Sequence, residues 1–172
     1  GDYIVPEYIE KKIAVDLGSN LCLFEKKYHN QFEKIFYFEA SYSNYLKGTA
    51  RLLSSGIKNC FGFNLASSEE SGEIIKIYSH SSGDCGSNSI VDTTDTNKQD
   101  YHKVLTISLN GIMELIEEKR INYLKIDIEG GEYGLFDNFD LSRVDFIAIE
   151  IHNTFGEDKM DRLRNKILKT HE

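Results

Sequence analysis

The sequence predicts an α/β fold built on a mostly parallel sheet, and three observations predict it. Short apolar runs alternate with segments of helical period, a glycine-bearing turn follows the first run, and acidic or polar residues close the others. Ile13-Ala14-Val15-Asp16 is the first run, broken by Gly18 as a strand is by a turn. Residues 21–30 set Leu23, Phe24, Lys27 and Tyr28 at helical spacing. Ile35-Phe36-Tyr37-Phe38 then reads as a second strand ending in Glu39, residues 43–55 as a second helix, and residues 59–65 as a third strand. Strand, helix and strand in alternation predict parallel pairing through right-handed crossovers.

The middle of the chain differs. Glu73-Ile74-Ile75-Lys76-Ile77-Tyr78 alternates like a strand, but residues 79–100 are rich in Ser, Gly, Asp, Asn and Thr. They read as a long mobile loop, suited to cover an acceptor, since loops of this length tend to be functional. Val104-Leu105-Thr106-Ile107 predicts a short strand leading to a helix over 111–119. Tyr123-Leu124-Lys125-Ile126-Asp127-Ile128 is a strong strand signal followed by the turn Glu129-Gly130-Gly131. Residues 145–151 form another strand, and a basic, apolar helix begins near Lys159.

The 172 residues suit one domain with one core, so residues 1–172 are read as one domain with 1–11 as a lead-in. A net charge of −8 and scattered basic residues argue against an extended nucleic-acid surface. No apolar run approaches the roughly 18 residues that cross a bilayer, and the acidic N-terminal residues do not resemble a signal peptide. Cys22, Cys60 and Cys85 include no Cys-x-x-Cys pair, so the expectation is reduced thiols in a cytoplasmic protein.

Four places carry chemistry. In the loop Asp16-Leu17-Gly18-Ser19-Asn20, Gly18 would let a ligand approach the backbone, and Asp16 could accept hydrogen bonds. An ordinary capped turn explains the same residues, and the full Gly-x-Gly-x-x-Gly of a dinucleotide site is absent. Glu39 lies about 20 residues further on, where a strand-end acid meets ribose hydroxyls. A solvated strand end is its bland reading. Asp127, Glu129 and Glu132 crowd the turn after the strong strand, and like charges so close call for a cation, a proton or a donor. Glu150 and His152 end the next strand, so Asp127, Glu150 and His152 could converge across neighbouring strand ends. A histidine beside a carboxylate can act as a general base, and the same residues can hold a divalent metal.

Taken in order, Val15-Asp16-Leu17-Gly18-Ser19-Asn20, Phe38-Glu39-Ala40, Leu124-Lys125-Ile126-Asp127-Ile128-Glu129-Gly130-Gly131-Glu132 and Ala148-Ile149-Glu150-Ile151-His152 resemble the FkbM family of S-adenosylmethionine (SAM)-dependent methyltransferases. The resemblance covers nearly all of residues 12–155 and implies a Rossmann-like class I methyltransferase sandwich with helices on both faces. It also implies SAM at Asp16, Gly18, Ser19 and Asn20, with Glu39 and Ala40 at the ribose, Asn64 and Ala66 at the adenine, and Asp127 beside them. Methylation of a hydroxyl on a small molecule or glycan would follow. Asp127, His152 and Glu150 are then the catalytic candidates, Glu129 and Glu132 the acceptor-side residues, and Asp127 with Glu150 the candidate metal pair. Two departures stand out. Cys22 replaces a glycine of the family loop and is expected to crowd the helix start, and the closing antiparallel strands of the fold are expected to be missing or truncated. A catalytically silent binding domain on the same fold is the alternative.

Overall fold

The computed structural model describes residues 3–80, 96–153 and 155–171, so residues 81–95, the centre of the expected lid, lie outside the described residues. In chain order the elements begin β1 (Ile13–Leu17), α1 (Leu23–Tyr28), β2 (Lys34–Phe38), α2 (Tyr42–Ser54), β3 (Cys60–Phe63) and β4 (Ala66–Ser67). There follow β5 (Ile74–His80), β6 (Thr96–Ile107), α3 (Leu109–Leu115), β7 (Tyr123–Ile126), a 3-10 turn (Leu141–Arg143), β8 (Ile147–Ile149) and α4 (Glu157–Leu168).

Five strands form the main sheet in the order β3-β2-β1-β7-β8, every neighbouring pair parallel. β1 and β7 are apolar almost throughout because both faces of their sheet are covered. Side chains alternate across it. Val15, Leu17, Phe36, Phe38, Leu124 and Ile126 pack on one face with Ile112 of α3 and Leu163 of α4. Ala14, Ile35 and Tyr123 pack on the other with Phe24 and Tyr28 of α1. Tyr37 meets Leu52 of α2 on that same side. The helices therefore sit on both faces, as the sequence predicts.

The chain moves outward from β1 through β2 to β3, then returns to place β7 against β1. That reversal is a topological switch point, where open α/β sheets leave a crevice outside the carboxyl ends of their strands. Among the described residues no strand follows β8, and the main sheet has no antiparallel member.

A second sheet, ordered β4-β6-β5, stands beside the first. β5 and β6 pair antiparallel, with Tyr78 opposite Tyr101 and Ile74 opposite Leu105. Residues 79–80 and 96–100 thus belong to strands, not to the predicted loop. Their composition is polar because a two-stranded arm needs no continuous apolar face. Among the described residues no helix is long and apolar enough to cross a membrane.

Candidate functional site

The switch point is organised by Glu39. Gly18 leaves β1 at φ +82° and donates its N–H to the Phe38 carbonyl at 2.9 Å. A Cβ at Gly18 would stand 1.8 Å from the Asp127 carbonyl oxygen, so glycine is required for the close approach as well as for the dihedral. Asn20, also at positive φ, donates its N–H to Glu39 Oε2 at 2.8 Å, and Ser41 donates its own to Oε1 at 2.7 Å. One carboxylate therefore clamps the loop after β1 to the start of α2. Burial pushes the Glu39 pKa up, the two backbone donors pull it back, and the net shift is upward. Beside it, Asn20 Oδ1 is buried with no hydrogen-bond partner.

A cavity of about 110 Å³ opens here, with Phe38, Leu65, Ala66 and Ile77 as its apolar wall and Asn20, Glu39 and Asp127 as its polar one. Gly18, Ala40, Asn44, Ser67, Ile128 and Glu129 complete the lining. A neighbouring cavity of about 330 Å³ shares Gly18, Asn20 and Asp127 and is closed by Tyr3, Phe24, Tyr28 and Lys125.

Several expected site residues stand elsewhere. Asp16 is fully buried and pairs with Lys125, its Oδ1 2.7 Å from the ammonium, and it lines neither cavity. Parallel register makes Asp16 and Lys125 direct neighbours on β1 and β7. Burial lowers the Lys125 pKa, but Asp16 outweighs it and the net shift is upward. Glu25 of α1 is fully buried on the same side. Burial first, then the charge of Asp16, raises its pKa well above the carboxylate range, which favours the neutral acid. Asn64 turns its amide to the carbonyls of Glu39 and Ala40, at 2.8 and 3.1 Å, so Leu65 and Ser67 take the place expected of it in the cavity wall. Ser19 lines only the second cavity. Cys22, expected to crowd the helix start, stands immediately before α1 and lines neither cavity. It adopts φ +55° and buries its thiol against Tyr37 and Leu52, 2.5 Å from where a Cβ on Gly48 would lie.

The ends of β7 and β8 bring together Asp127, Glu129, Glu132 and His152. Glu132 is fully buried, and its Oε1 lies 2.6 Å from His152 Nδ1 while also accepting the Gly130 N–H at 3.2 Å. With its charge set behind the imidazole it has no surface to offer an acceptor, contrary to the expectation for it. His152 Nε2 faces Glu129 Oε2 at 3.5 Å. Burial pulls the His152 pKa down, but the bond to Glu132 and the charge of Glu129 outweigh it, and the net shift is upward. Burial raises the Glu129 pKa, as do Asp127 and the other nearby acids against the opposing pull of His152. Glu150 does not join the donor group formed by Asp127, Glu129 and His152. It accepts a hydrogen bond from the Tyr3 hydroxyl at 3.3 Å. Of the metal pair expected from sequence, Asp127 lies in this donor group and Glu150 does not.

Tyr3 belongs to the segment expected to be a mere lead-in. Its ring lies 4.7 Å from the Lys125 ammonium, its carbonyl accepts from the Tyr28 hydroxyl at 2.6 Å, and the next carbonyl, Ile4, accepts from Tyr123. Burial, then the charge of Asp127, pushes its phenol pKa far up. No local pattern marks Tyr3 in the sequence, because its partners come from distant strand ends.

These features define a doubly wound α/β domain whose ligand crevice lies at the strand-order reversal. The family model described as methyltransferase FkbM domain matches residues 14–171. The chain belongs to this methyltransferase family. Its fold is similar to that of the crystal structure of methyltransferase FkbM from Methylobacillus flagellatus KT, with a TM-score of 0.59 and 14% identity. That match covers 93% of this chain and 37% of the other, so the chain spans little more than a third of the relative's length. No curated protein matches the chain.

Proposed function

We propose that the chain binds SAM at the switch point and transfers its methyl group to a hydroxyl of a small molecule or glycan. The observation that carries this reading is the pair of acceptors beside an apolar slot. Asn20 Oδ1 is buried and unpartnered, and Glu39 keeps lone pairs beyond the two that its backbone donors use. A ligand that brings an ammonium, vicinal hydroxyls and a flat heterocycle fits that combination. When bound, SAM supplies a methyl group already activated on a sulfonium.

The residues divide the remaining work. Glu39 accepts from the ribose hydroxyls, Asn20 Oδ1 from the methionine ammonium, and Leu65, Ala66 and Ile77 enclose the adenine. Asp127 and Glu129 line the same cavity as Glu39, so an acceptor oxygen placed against them stands next to the methyl group. Alignment of that oxygen, with help in removing its proton, is what the protein has to provide. The proton is removed at the Asp127, Glu129 and His152 group, with Glu132 fixing the ring and Glu150 and Tyr3 bordering the acceptor side. The buried thiol of Cys22 fits a reducing compartment, and we place the protein in the cytoplasm.

Calorimetry with SAM and S-adenosylhomocysteine tests this reading. One site per chain for both ligands is expected, and absence of binding to either would overturn it.

A further inference from the structure

We propose that Asp127, Glu129 and His152 form a binding site for one divalent transition-metal ion. A carboxylate oxygen from each acid and a ring nitrogen of His152 all lie within 4.8 Å of one another. Donors bonded at about 2.1 Å to a common ion stand about 3.0–4.2 Å apart, so closing the set needs movements of only a few tenths of an ångström. The 3.5 Å between His152 Nε2 and Glu129 Oε2 falls inside that range already.

The surroundings point the same way. Glu132 holds Nδ1, which leaves Nε2 as the nitrogen turned to Glu129. A carboxylate behind the imidazole is the usual support of a metal-bound histidine, since it fixes the ring and strengthens the donor. Glu132 is also wholly buried, and its second oxygen has no hydrogen-bond partner. The buried ammonium of Lys125 is bound to Asp16 and the Gly18 carbonyl. Asp127, Glu129 and Glu132 thus gather three carboxylates around one imidazole, and a dication balances what one ring cannot.

One nitrogen and two carboxylate oxygens suit Mn²⁺, Co²⁺ or Zn²⁺ better than Mg²⁺ or Ca²⁺, which favour oxygen alone. Three protein ligands leave positions open, and Asp127 and Glu129 face the cavity. An acceptor hydroxyl entering there would lose its proton to solvent water near neutral pH. Its oxygen lone pair would then form the O–C bond to the methyl group, while the electrons of the breaking C–S bond return to sulfur. This consequence rests on the methyl transfer proposed above, whereas binding of the ion does not.

The test is titration of the chelator-stripped chain with Mn²⁺, followed by electron paramagnetic resonance, and with Co²⁺, followed by its visible spectrum, each with and without S-adenosylhomocysteine. One ion per chain is expected, with affinity at least about tenfold weaker in Asp127→Asn, His152→Ala and the more exposed Glu129→Gln. Circular dichroism identifies any variant that fails to fold, and the folded ones decide. No ion bound at millimolar concentration, or binding that these substitutions leave unchanged, overturns the site. S-adenosylhomocysteine binding in chelator with no metal bound would keep the methyl-transfer reading and leave His152 as the base. Metal bound without any affinity for S-adenosylhomocysteine would do the reverse.

Discussion

Glu132 and His152 are joined across 20 residues by a 2.6 Å contact between Oε1 and Nδ1, with the carboxylate fully buried and the ring partly exposed. The buried partner sets the orientation of the exposed one, and a charged acceptor makes this the stronger kind of hydrogen bond. Glu132→Gln keeps the volume and an oxygen for the Gly130 N–H but removes the charge. The turnover of methyl transfer is expected to fall about 10–100-fold, with affinity for S-adenosylhomocysteine held within about twofold because Glu132 lines neither cavity. Initial rates and calorimetry on the same preparation separate the two effects. An equal loss in both would mean that Glu132 supports the loop rather than the chemistry.

Glu39 lines the cavity proposed to hold the cofactor. Glu39→Ala removes the proposed ribose acceptor and frees the N–H groups of Asn20 and Ser41 that it clamps. SAM binding is expected to weaken by about 1–3 kcal/mol, measured by calorimetry at fixed salt. Unchanged affinity would place the ribose elsewhere.

Much of this fold is legible in the sequence because the main strands are buried on both faces and therefore appear as apolar runs. Glu39 and Asp127 are legible for a related reason, since each closes such a run at the edge where ligands bind. The hairpin arm is harder to see. β6 begins in a polar stretch, and only pairing with β5 makes that stretch a strand. Asn64 looks like a ligand contact until its amide is found on two backbone carbonyls. Asp16 and Lys125 lie 109 residues apart, and nothing local shows that their strands adjoin. Glu25 sits in the charged run Glu25-Lys26-Lys27, which resembles a solvated helix face, yet helical rotation turns it into the core.

The approach of Gly18 to the backbone after β7 gives a stability prediction independent of any ligand. Gly18→Ala puts a methyl group 1.8 Å from the Asp127 carbonyl oxygen at φ +82°. Left-handed backbone costs an alanine about 1–2 kcal/mol, and overpacking adds about 1–3 kcal/mol. Urea unfolding of the variant should therefore show a loss of about 2–5 kcal/mol. A midpoint equal to that of the unsubstituted chain would show that the two strand ends are not in contact.

Glu25 gives a pH dependence with a definite sign. Its pKa is raised in the folded state, by burial first and then by Asp16, while in the unfolded chain it returns to about 4.3. Between those two values the folded state holds a proton that the unfolded state has released. Stability from this group is thus complete below about pH 4 and declines as pH rises through the folded pKa. Glutamine at position 25 is neutral at every pH and close in volume. Glu25→Gln should match the unsubstituted chain near pH 4 and become the more stable of the two as pH rises toward 8. Urea unfolding across that range measures the difference directly, and subtracting the two curves cancels the contributions of Glu39 and Glu129. Parallel curves would mean that Glu25 ionises as freely in the fold as outside it. A glutamine variant that is less stable at pH 8 would mean that the charged carboxylate is itself held by Lys125.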